Sequence, residues 1–353
     1  MMKILVDGEY EHAVIHPVLM QFARGMNDIG KVRGRKIVQM IGLPARVLAA
    51  KRKFSADCLY YGPCGPNWPP AIRDIFLLAL LRPFFRRTIL HFHAAGLSEL
   101  YSRCPAILRP FFRRAFFDAD VAISLSEFNP PDHEVFRAKR VHYVPNGIPD
   151  VYSESGSELA GVRRSSGRAV EILFVGVLME SKGILILVEA IGLLPPAVRQ
   201  GLKVVVLGQF SSPRFEQVVR DRLAACKVET QFDFRGVTVG VEKHRAFLSA
   251  DIFCLPTFFE AESFSLVVAE AMQFRLPVVA TRWRGVQSLV EDGTSGYLVP
   301  PKEPGELADR LLKLIEDPGL RSRMGDAGRA KFLKEYTVTK FRQRMDRVFK
   351  EVQ

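Results

Sequence analysis

Residues 170–208, "VEILFVGVLMESKGILILVEAIGLLPPAVRQGLKVVVLG", contain the pattern that decides the fold. The segment "VEILFVGV" (170–177) is a short apolar run that ends near a glycine, as expected of a strand buried in a parallel sheet. "GILILVEAIGLL" (183–194) predicts a helix, and "LKVVVLG" (202–208) predicts the next strand. A strand, a helix and a second strand in this order indicate a βαβ unit.

The same alternation continues toward the C-terminus. Helices are predicted at 212–226 and 241–250 and from about Ser263, and strands at 230–236, 251–256 and 276–281. The charged, amphipathic tail from Glu303 predicts two or three helices separated near 317–320. We therefore assign 170–335 to a doubly wound α/β domain and 336–353 to a C-terminal helix.

The first part of the chain repeats this organisation. Its predicted strands and helices follow one another in turn: strands at 3–8, 56–63, 88–96, 118–127 and 140–148, and helices at 17–27, 69–82 and 97–117. Residues 151–169 are rich in serine, glycine and charge, which is typical of a linker. Since 353 residues exceed what one core usually serves, the sequence predicts a second α/β domain at 1–150.

The composition is that of an ordinary globular protein, with 48% hydrophobic and 25% charged residues. The apolar run "IFLLALL" (75–81) is far shorter than the roughly 20 residues that cross a bilayer. Acids occur too early within the N-terminal segment "MMKILVDGEYEH" for a signal peptide, so we expect a cytoplasmic protein. The five cysteines are never two residues apart, which argues against a zinc site or a disulfide framework.

The net charge of +12 is concentrated in the first half of the chain. Residues 1–150 hold 21 basic and 13 acidic residues, a net charge of +8. An anionic membrane surface, a nucleic acid or an acidic substrate would each suit this excess. Because no nucleic-acid recognition motif accompanies the charge, we exclude a nucleic acid.

Two near-identical segments, "LRPFFRRTIL" (81–90) and "LRPFFRRAFF" (108–117), mix arginine with phenylalanine. Such a mixture suits a helix lying on anionic lipid, which predicts a peripheral contact with the inner face of a membrane. The alternative is a helix whose phenylalanines face the core and whose arginines are solvated.

Two loops are expected at the carboxyl ends of strands, where parallel sheets bind ligands. In "VGVLMESKG" (175–183), Gly176 permits a tight turn, and Lys182 precedes a helix N-terminus that favours phosphate. The alternative for Lys182 is a solvated lysine at a strand-to-helix turn.

In the second loop, "PTFFEAESFS" (256–265), Ser263 or Ser265 can cap the following helix and leave free N–H groups for an anion. Glu262 lies at the mouth, and Glu270 lies about two turns along, displaced by roughly 80° around the helix axis. Paired acids in this arrangement can bind the hydroxyls of a sugar and a ribose. Otherwise Glu262 is an acid favoured by the helix dipole, and Glu270 is merely exposed.

The segment "ESFSLVVAEAMQFRLPVVAT" (262–281) resembles the E-x7-E signature of the family-four retaining glycosyltransferases, glycosyl transferases group 1. "FVGVLMESKG" (174–183) resembles their phosphate loop, "VHYVPNGI" (141–148) the end of their first domain, and residues 290–318 their C-terminal segment. The resemblance covers most of residues 140–350. It departs from the family at Val177, where an arginine is usual, at Ser263 and Ser265, and at Arg275, where a glycine is common.

The resemblance implies the GT-B fold, in which two Rossmann-like domains face a central cleft and the last helix crosses back to the first domain. It makes Glu270 the ribose ligand, Lys182 a diphosphate ligand and Glu262 a catalytic contact to the donor sugar. It assigns the backbone of Arg235, Gly236 and Val237 to the base, and that of Ser263, Phe264 and Ser265 to the diphosphate, with Gly176 in the phosphate loop.

In "HFHAAG" (91–96), the resemblance makes His93 a second catalytic contact to the donor sugar, while we expect His91 to pack in the core. Metal and cofactor are not implied, because positive groups can stabilise the leaving diphosphate.

The implied activity is transfer of a sugar from a nucleotide-sugar donor to a glycan or lipid-linked acceptor. The implied setting is bacterial exopolysaccharide, capsule or lipopolysaccharide biosynthesis. Alternatives are a degenerate GT-B protein that binds a partner or membrane without turnover, and a GT-B-like sugar-nucleotide epimerase, which the two acids disfavour.

Overall fold

The computed structural model describes residues 2–18, 34–154 and 168–353. The chain forms two compact units: unit 1 comprises Met1–Leu125, Asn129–Val144 and Arg342–Gln353, and unit 2 comprises Ser126–Phe128 and Pro145–Phe341. Most of the predicted helix at 17–27 and of the predicted linker at 151–169 lies outside the described residues. The predicted domain boundaries remain predictions.

Unit 1 contains a four-stranded parallel sheet in the order β1-β2-β3-β4. Its strands are Cys58–Tyr61 (β1), Arg87–Phe92 (β2), Val121–Ser124 (β3) and Val141–Tyr143 (β4). The helices that precede the C-terminal one are Met2–Val6 (α1), Gly34–Phe54 (α2), Trp68–Leu81 (α3), Leu97–Ser102 (α4), Arg109–Phe116 (α5) and Asp132–Val135 (α6). Phe112, Phe116 and Phe136 are fully buried in its core. The four predicted strands from 56 to 148 are therefore present, each shorter than predicted.

Three features of unit 1 differ from the prediction. The predicted strand at 3–8 is wrong, because residues 2–6 form α1; so short an apolar run has no periodicity that separates a strand from a helix. The predicted helix at 97–117 is divided into α4 and α5. Pro105 lies between the two helices, and Pro110 lies in the first turn of α5. Helix α2, which contains Pro44, was not predicted.

Unit 2 contains a six-stranded parallel sheet in the order β10-β9-β8-β5-β6-β7. The strands are Val170–Val175 (β5), Leu202–Leu207 (β6), Phe232–Phe234 (β7), Ile252–Leu255 (β8), Val278–Thr281 (β9) and Gly296–Val299 (β10). Numbered within the unit, this is the 3-2-1-4-5-6 order of a Rossmann sheet, with its switch point between β5 and β8. Every residue of β8 and β9 is buried, as in a sheet covered on both faces.

The helices of unit 2 precede, connect and follow its strands. Their bounds are Val151–Glu154 (α7), Ile184–Leu193 (α8), Pro196–Gln200 (α9), Pro213–Cys226 (α10), Gly240–Ser249 (α11), Leu266–Gln273 (α12), Val286–Leu289 (α13), Pro304–Glu316 (α14) and Pro318–Glu335 (α15). Helix α8 packs against α10 and α14, and α12 packs against α15. The predicted break near 317–320 is confirmed, since Asp317 caps α15 by accepting a 2.8 Å hydrogen bond from Leu320 N.

The last helix, Val338–Val352 (α16), starts in unit 2, and its residues from Arg342 onward belong to unit 1. There the Asp346 carboxylate accepts hydrogen bonds from His12 N at 3.1 Å and lies 2.9 Å from His12 Nδ1. Gln353 Nε2 donates to His12 O at 2.8 Å. Across the described ranges, the helices are all too short or too polar to cross a bilayer.

Candidate functional site

The loops that follow β5 and β8 touch through their backbones. Phe258 N donates a 2.7 Å hydrogen bond to Ser181 O. Gly183, which directly precedes α8, has a φ of +82°, and a Cβ at this position would lie 2.1 Å from Pro256 O. Only glycine meets both conditions, because other residues avoid positive φ and have no space here. The close approach of these loops brings together two predicted site residues.

These residues are Lys182 and Glu262, whose Nζ and Oε2 atoms lie 2.5 Å apart. Glu262 is buried, and its Oε2 also lies 3.5 Å from Thr257 Oγ1. Lys182 Nζ stands 4.6 Å from the centre of the Phe259 ring, a cation–π distance. Lys182 is therefore an ion-paired, mostly buried lysine rather than a solvated one. Its predicted role toward a diphosphate remains a prediction.

Glu270 lies on α12 and forms a second ion pair with Lys243 of α11. Lys243 Nζ is 2.8 Å from Glu270 Oε1 and 2.7 Å from Oε2, so both carboxylate oxygens face one cation. The sequence analysis missed Lys243, since no local motif marks it and it becomes a neighbour of Glu270 only through helix packing. Glu270 is thus not a merely exposed acid, and its predicted role as ribose ligand remains a prediction.

The segment Ser263–Ser265 leads into α12 and is buried. Ser265 is the N-cap residue, but among the described groups its side chain accepts no hydrogen bond from the helix. The Phe264 ring packs edge-on against Tyr336, with centroids 5.5 Å apart. The predicted capping bond of Ser265 is therefore absent, which leaves the first turn of α12 without that side-chain partner.

The segment Arg235–Val237 follows β7. Gly236 has a φ of +69°, and its carbonyl accepts a 2.8 Å hydrogen bond from Gly208 N. Val237 is 61% exposed. Burial alone would raise the pKa of Asp233, but hydrogen bonds from Arg235 and from Lys203 hold that pKa below its usual value. This segment is a loop with an exposed apolar residue, and its predicted contact with the base remains a prediction.

The sequence predicts that Gly176 permits a tight turn, and the closest backbone approach in this loop involves Gly208. Gly176 has no positive φ, and a Cβ there would meet its nearest neighbour, Phe174, at an ordinary 3.9 Å. A Cβ on Gly208 would lie 1.8 Å from Gly176 O, and Gly208 has a φ of +153°. Gly208 was not among the predicted site residues, because this contact joins two loops that are distant in sequence.

Arg275 stands where the family commonly has a glycine. Its φ is +57°, the left-handed region that glycine favours. The Arg275 carbonyl packs so closely against Gly325 that a Cβ there would lie 2.1 Å from it. Arg275 Nη1 pairs with Asp326 at 2.8 Å. The turn before β9 therefore exists here with arginine in place of glycine.

His93 follows β2 in unit 1, whereas the other predicted site residues belong to unit 2. Its ring stacks on that of His91, with centroids 3.9 Å apart. His91 is completely buried, as predicted, and its Nδ1 shares a short hydrogen bond with Tyr60 Oη. Burial lowers the pKa of His93 to about 4. His93 is therefore an uncharged hydrogen-bonding group at neutral pH.

Two Rossmann-like units and a last helix that begins in unit 2 and ends in unit 1 define the GT-B fold. Solved structures share it. Anabaena Alr3699/HepE in complex with UDP matches with a TM-score of 0.68 and 20% identity, over 88% of this chain and 82% of that one. Sucrose-phosphate synthase from Thermosynechococcus elongatus matches with a TM-score of 0.72 and 17% identity, over 98% and 87%. Such low identities establish the fold alone.

Residues 161–331 match the model of the family described as glycosyl transferases group 1. Phosphatidyl-myo-inositol mannosyltransferase from Mycobacterium leprae is 31% identical over 213 residues, which are 59% of this chain and 53% of that protein. D-inositol 3-phosphate glycosyltransferase from Corynebacterium jeikeium is 36% identical over 194 residues, 53% and 46%. The chain spans about half the length of the curated relatives it matches.

Proposed function

We propose that the protein is a retaining glycosyltransferase that moves a sugar from a nucleotide-sugar donor to a glycan or lipid-linked acceptor. The observation that carries this proposal is the ion pair between Lys182 and Glu262, which joins the loops after β5 and β8. Both loops lie at carboxyl ends of parallel strands on either side of the switch point, where such sheets bind nucleotides.

The diphosphate of the donor binds at Lys182 and the N-terminal end of α8. The free N–H groups and the dipole of a helix N-terminus favour an anion, and Lys182 adds a full positive charge. Binding separates Lys182 from Glu262, because the diphosphate competes for the ammonium group. The freed Glu262 carboxylate then accepts hydrogen bonds from hydroxyls of the donor sugar.

The ribose hydroxyls bind to Glu270, and the base lies against the backbone of Arg235–Val237. The Glu270 carboxylate is positioned by its ion pair with Lys243 and has two oxygens that can accept hydrogen bonds from the ribose hydroxyls. The exposed Val237 supplies an apolar contact to the base. A nucleoside diphosphate thus receives separate contacts for its base, ribose and phosphates.

In the transfer, the bond between the anomeric carbon and the diphosphate oxygen breaks, and the acceptor oxygen bonds to the same face of that carbon. The acceptor proton passes to the departing diphosphate. Lys182 and the N–H groups before α12 stabilise the charge that develops on this leaving group, without a metal ion. His93, which is uncharged at neutral pH, donates a hydrogen bond to a sugar oxygen or accepts one from a sugar hydroxyl.

The donor and the biological setting are proposals of the same kind. Alr3699/HepE structures contain UDP or UDP-glucose, which supports a nucleotide-sugar donor. Curated relatives are named as a phosphatidylinositol mannosyltransferase and inositol phosphate glycosyltransferases, which supports a hydroxylated or lipid-linked acceptor. We place the reaction in bacterial surface polysaccharide or glycolipid assembly, in the cytoplasm at the inner face of the membrane.

The test is release of nucleotide from a panel of UDP-, GDP- and ADP-sugars, with membrane extract as the source of acceptor. Lys182→Met and Glu270→Gln are each expected to lower kcat/KM about 100-fold, since each removes a charged contact to the donor. Lys334→Met and Glu316→Gln, which change exposed residues on α15 and α14, serve as matched controls. Full activity of the Glu270→Gln variant would contradict the proposed donor site.

A second candidate function is binding of a nucleotide sugar without turnover. Val177 favours it, because this 43% exposed residue stands where the phosphate loop usually carries an arginine. Calorimetry would then show donor binding that Lys182→Met weakens, while no donor and acceptor pair releases nucleotide. Installing Val177→Arg separates the two candidates: faster turnover is expected of an enzyme, whereas a binding protein gains affinity alone.

A further inference from the structure

The solvent side of α3 in unit 1 is apolar. This helix buries one face in the core, and a surface helix normally carries polar residues on the opposite face. On α3 that opposite face instead presents three exposed apolar residues at four-residue spacing: Ile72, Phe76 and Leu80. Phe76 is 53% exposed, and no exposed charge interrupts the row. A helix apolar on nearly all sides is unusual on a solvated surface.

The apolar surface continues beyond α3. Phe84, in the turn that follows α3, is 52% exposed, and Ile107, in the turn before α5, is 79% exposed. Phe111 of α5 is also exposed, and its ring centroid lies 6.3 Å from that of Phe76. We refer to these exposed residues together as the apolar strip: Ile72, Phe76, Leu80, Phe84, Ile107 and Phe111. A contiguous strip of this kind marks an interaction site more often than chance exposure.

Exposed arginines accompany the apolar strip. They stand in the segment after Phe84 and along α5, and none forms an ion pair with a carboxylate in the described part of the chain: Arg86, Arg109, Arg113 and Arg114. Two acids lie in α3, α5 and their flanking turns. Asp74 is fully buried and bonded to Tyr61 Oη at 2.7 Å and Cys64 N at 2.8 Å, and Asp118, in the turn after α5, is ion-paired with Arg137 at 2.8 Å. This surface is therefore apolar and positive, because its acids are either buried or ion-paired.

We propose that the apolar strip docks on an anionic lipid surface. Its phenylalanine, leucine and isoleucine side chains enter the boundary between headgroups and acyl chains, while Arg86 and Arg113 contact lipid phosphates. A second copy of the chain is a poorer occupant, because a two-fold interface would set arginines of one copy against those of the other. Anionic lipid supplies both an apolar medium and the opposite charge.

Two arginines near the strip hold α3 and α5 together and are unsuitable for a test. Arg82 Nη1 donates to the carbonyl oxygens of Ala115 and Phe117 at 2.9 and 2.7 Å. Arg114 Nε donates to Ala79 O at 3.0 Å. Arg86 and Arg113 can be replaced without breaking these links between the helices.

The experiment is co-sedimentation of the full chain with phosphatidylcholine–phosphatidylglycerol vesicles and with pure phosphatidylcholine vesicles. The triple variant Phe76→Gln/Leu80→Gln/Phe111→Gln is expected to bind the mixed vesicles at least about tenfold more weakly. Arg86→Gln/Arg113→Gln is expected to lose about fivefold per arginine on the mixed vesicles, and added salt should abolish this difference. The matched control, Leu193→Gln/Val218→Gln/Leu333→Gln, changes exposed apolar residues of unit 2 and should bind as the wild type does.

Circular dichroism confirms that each variant is folded before its binding is compared. Unchanged sedimentation of the folded triple variant would overturn the proposal. So would a wild-type dimer, measured by light scattering without lipid, that the triple variant converts to monomer, since the strip would then be an interface between copies. The assay requires no nucleotide sugar and no turnover, so its outcome is independent of the proposed transferase activity.

Discussion

The polar residues at the strand ends differ in charge between the two units. In unit 2, the loops after β5 and β8 hold charges as pairs, of which Lys182 and Glu262 at 2.5 Å are the clearest. In unit 1, the end of β2 carries His91 and His93, which burial keeps uncharged. An ion pair can open to receive a charged ligand, whereas a neutral buried pair cannot supply charge. The difference supports the proposal that the charged part of the donor binds to unit 2.

The largest loss of stability is expected from a substitution of Gly183, which lets the loops after β5 and β8 of unit 2 approach each other. Gly183→Ala places a Cβ 2.1 Å from Pro256 O in a residue with positive φ, so we expect unit 2 to lose at least about 4 kcal/mol of stability. Gly176→Ala is the matched control, because its Cβ finds ordinary space, and it should cost less than about 1 kcal/mol. Urea unfolding followed by the fluorescence of Trp283, in a Trp68→Phe background, measures both. Equal stability of the two variants would contradict this account.

A smaller effect is expected at the structural ion pair of unit 2, between Arg329 and Asp150. Arg329 is buried, and its two Nη atoms donate to the Asp150 carboxylate at 2.6 and 2.7 Å. Arg329→Met leaves that carboxylate without its cation and should destabilise unit 2 by about 3 kcal/mol. Arg310→Met, which removes a more exposed pair with Glu306, should cost less than about 1 kcal/mol. Equal losses in the free energy of unfolding for both variants would show that the buried ion pair does not stabilise unit 2.

Acidification should weaken unit 1 selectively. The pKa of His93 falls from 6.5 to about 4 on folding, so the unfolded chain binds the extra proton first. Its contribution to stability is complete above pH 6.5 and is lost as the pH falls toward 4, at a cost of about 3 kcal/mol. In unit 2, burial alone would raise the pKa of Asp150, but hydrogen bonds from Arg329 and Ser153 lower it below 3.8, so that pair stays charged across this window.

The two tryptophans report on the units separately, since Trp68 lies in unit 1 and Trp283 in unit 2. Urea unfolding of the Trp283→Phe variant should show unit 1 losing stability between pH 6.5 and 4. His93→Asn should flatten this dependence. A pH dependence that His93→Asn leaves intact would assign the effect to His91, whose pKa burial also lowers.

The sequence predicts the parallel sheets well because their strands are short apolar runs bounded by glycine, proline or charge. It fails where the pattern is too short, as at α1, or where proline divides a helix, as between α4 and α5. The E-x7-E spacing marks Glu262 and Glu270, but not their partners. Lys243 and Gly208 were not predicted, since their contacts join segments that only the tertiary structure brings together.

The smallest effect is expected at Arg275, where unit 2 keeps a glycine-type turn without glycine. Arg275→Gly relieves positive-φ strain of about 1 kcal/mol, while the unfolded-state entropy of glycine and loss of the exposed Asp326 pair offset most of it. We expect a net change below about 1 kcal/mol and unaltered nucleotide release. Arg275→Val should cost about 2 kcal/mol, because a β-branched residue tolerates this φ of +57° poorly. Since Arg275 contributes its backbone conformation rather than its charge, a large loss of donor affinity in Arg275→Gly would show instead that its guanidinium takes part in the charged chemistry of unit 2.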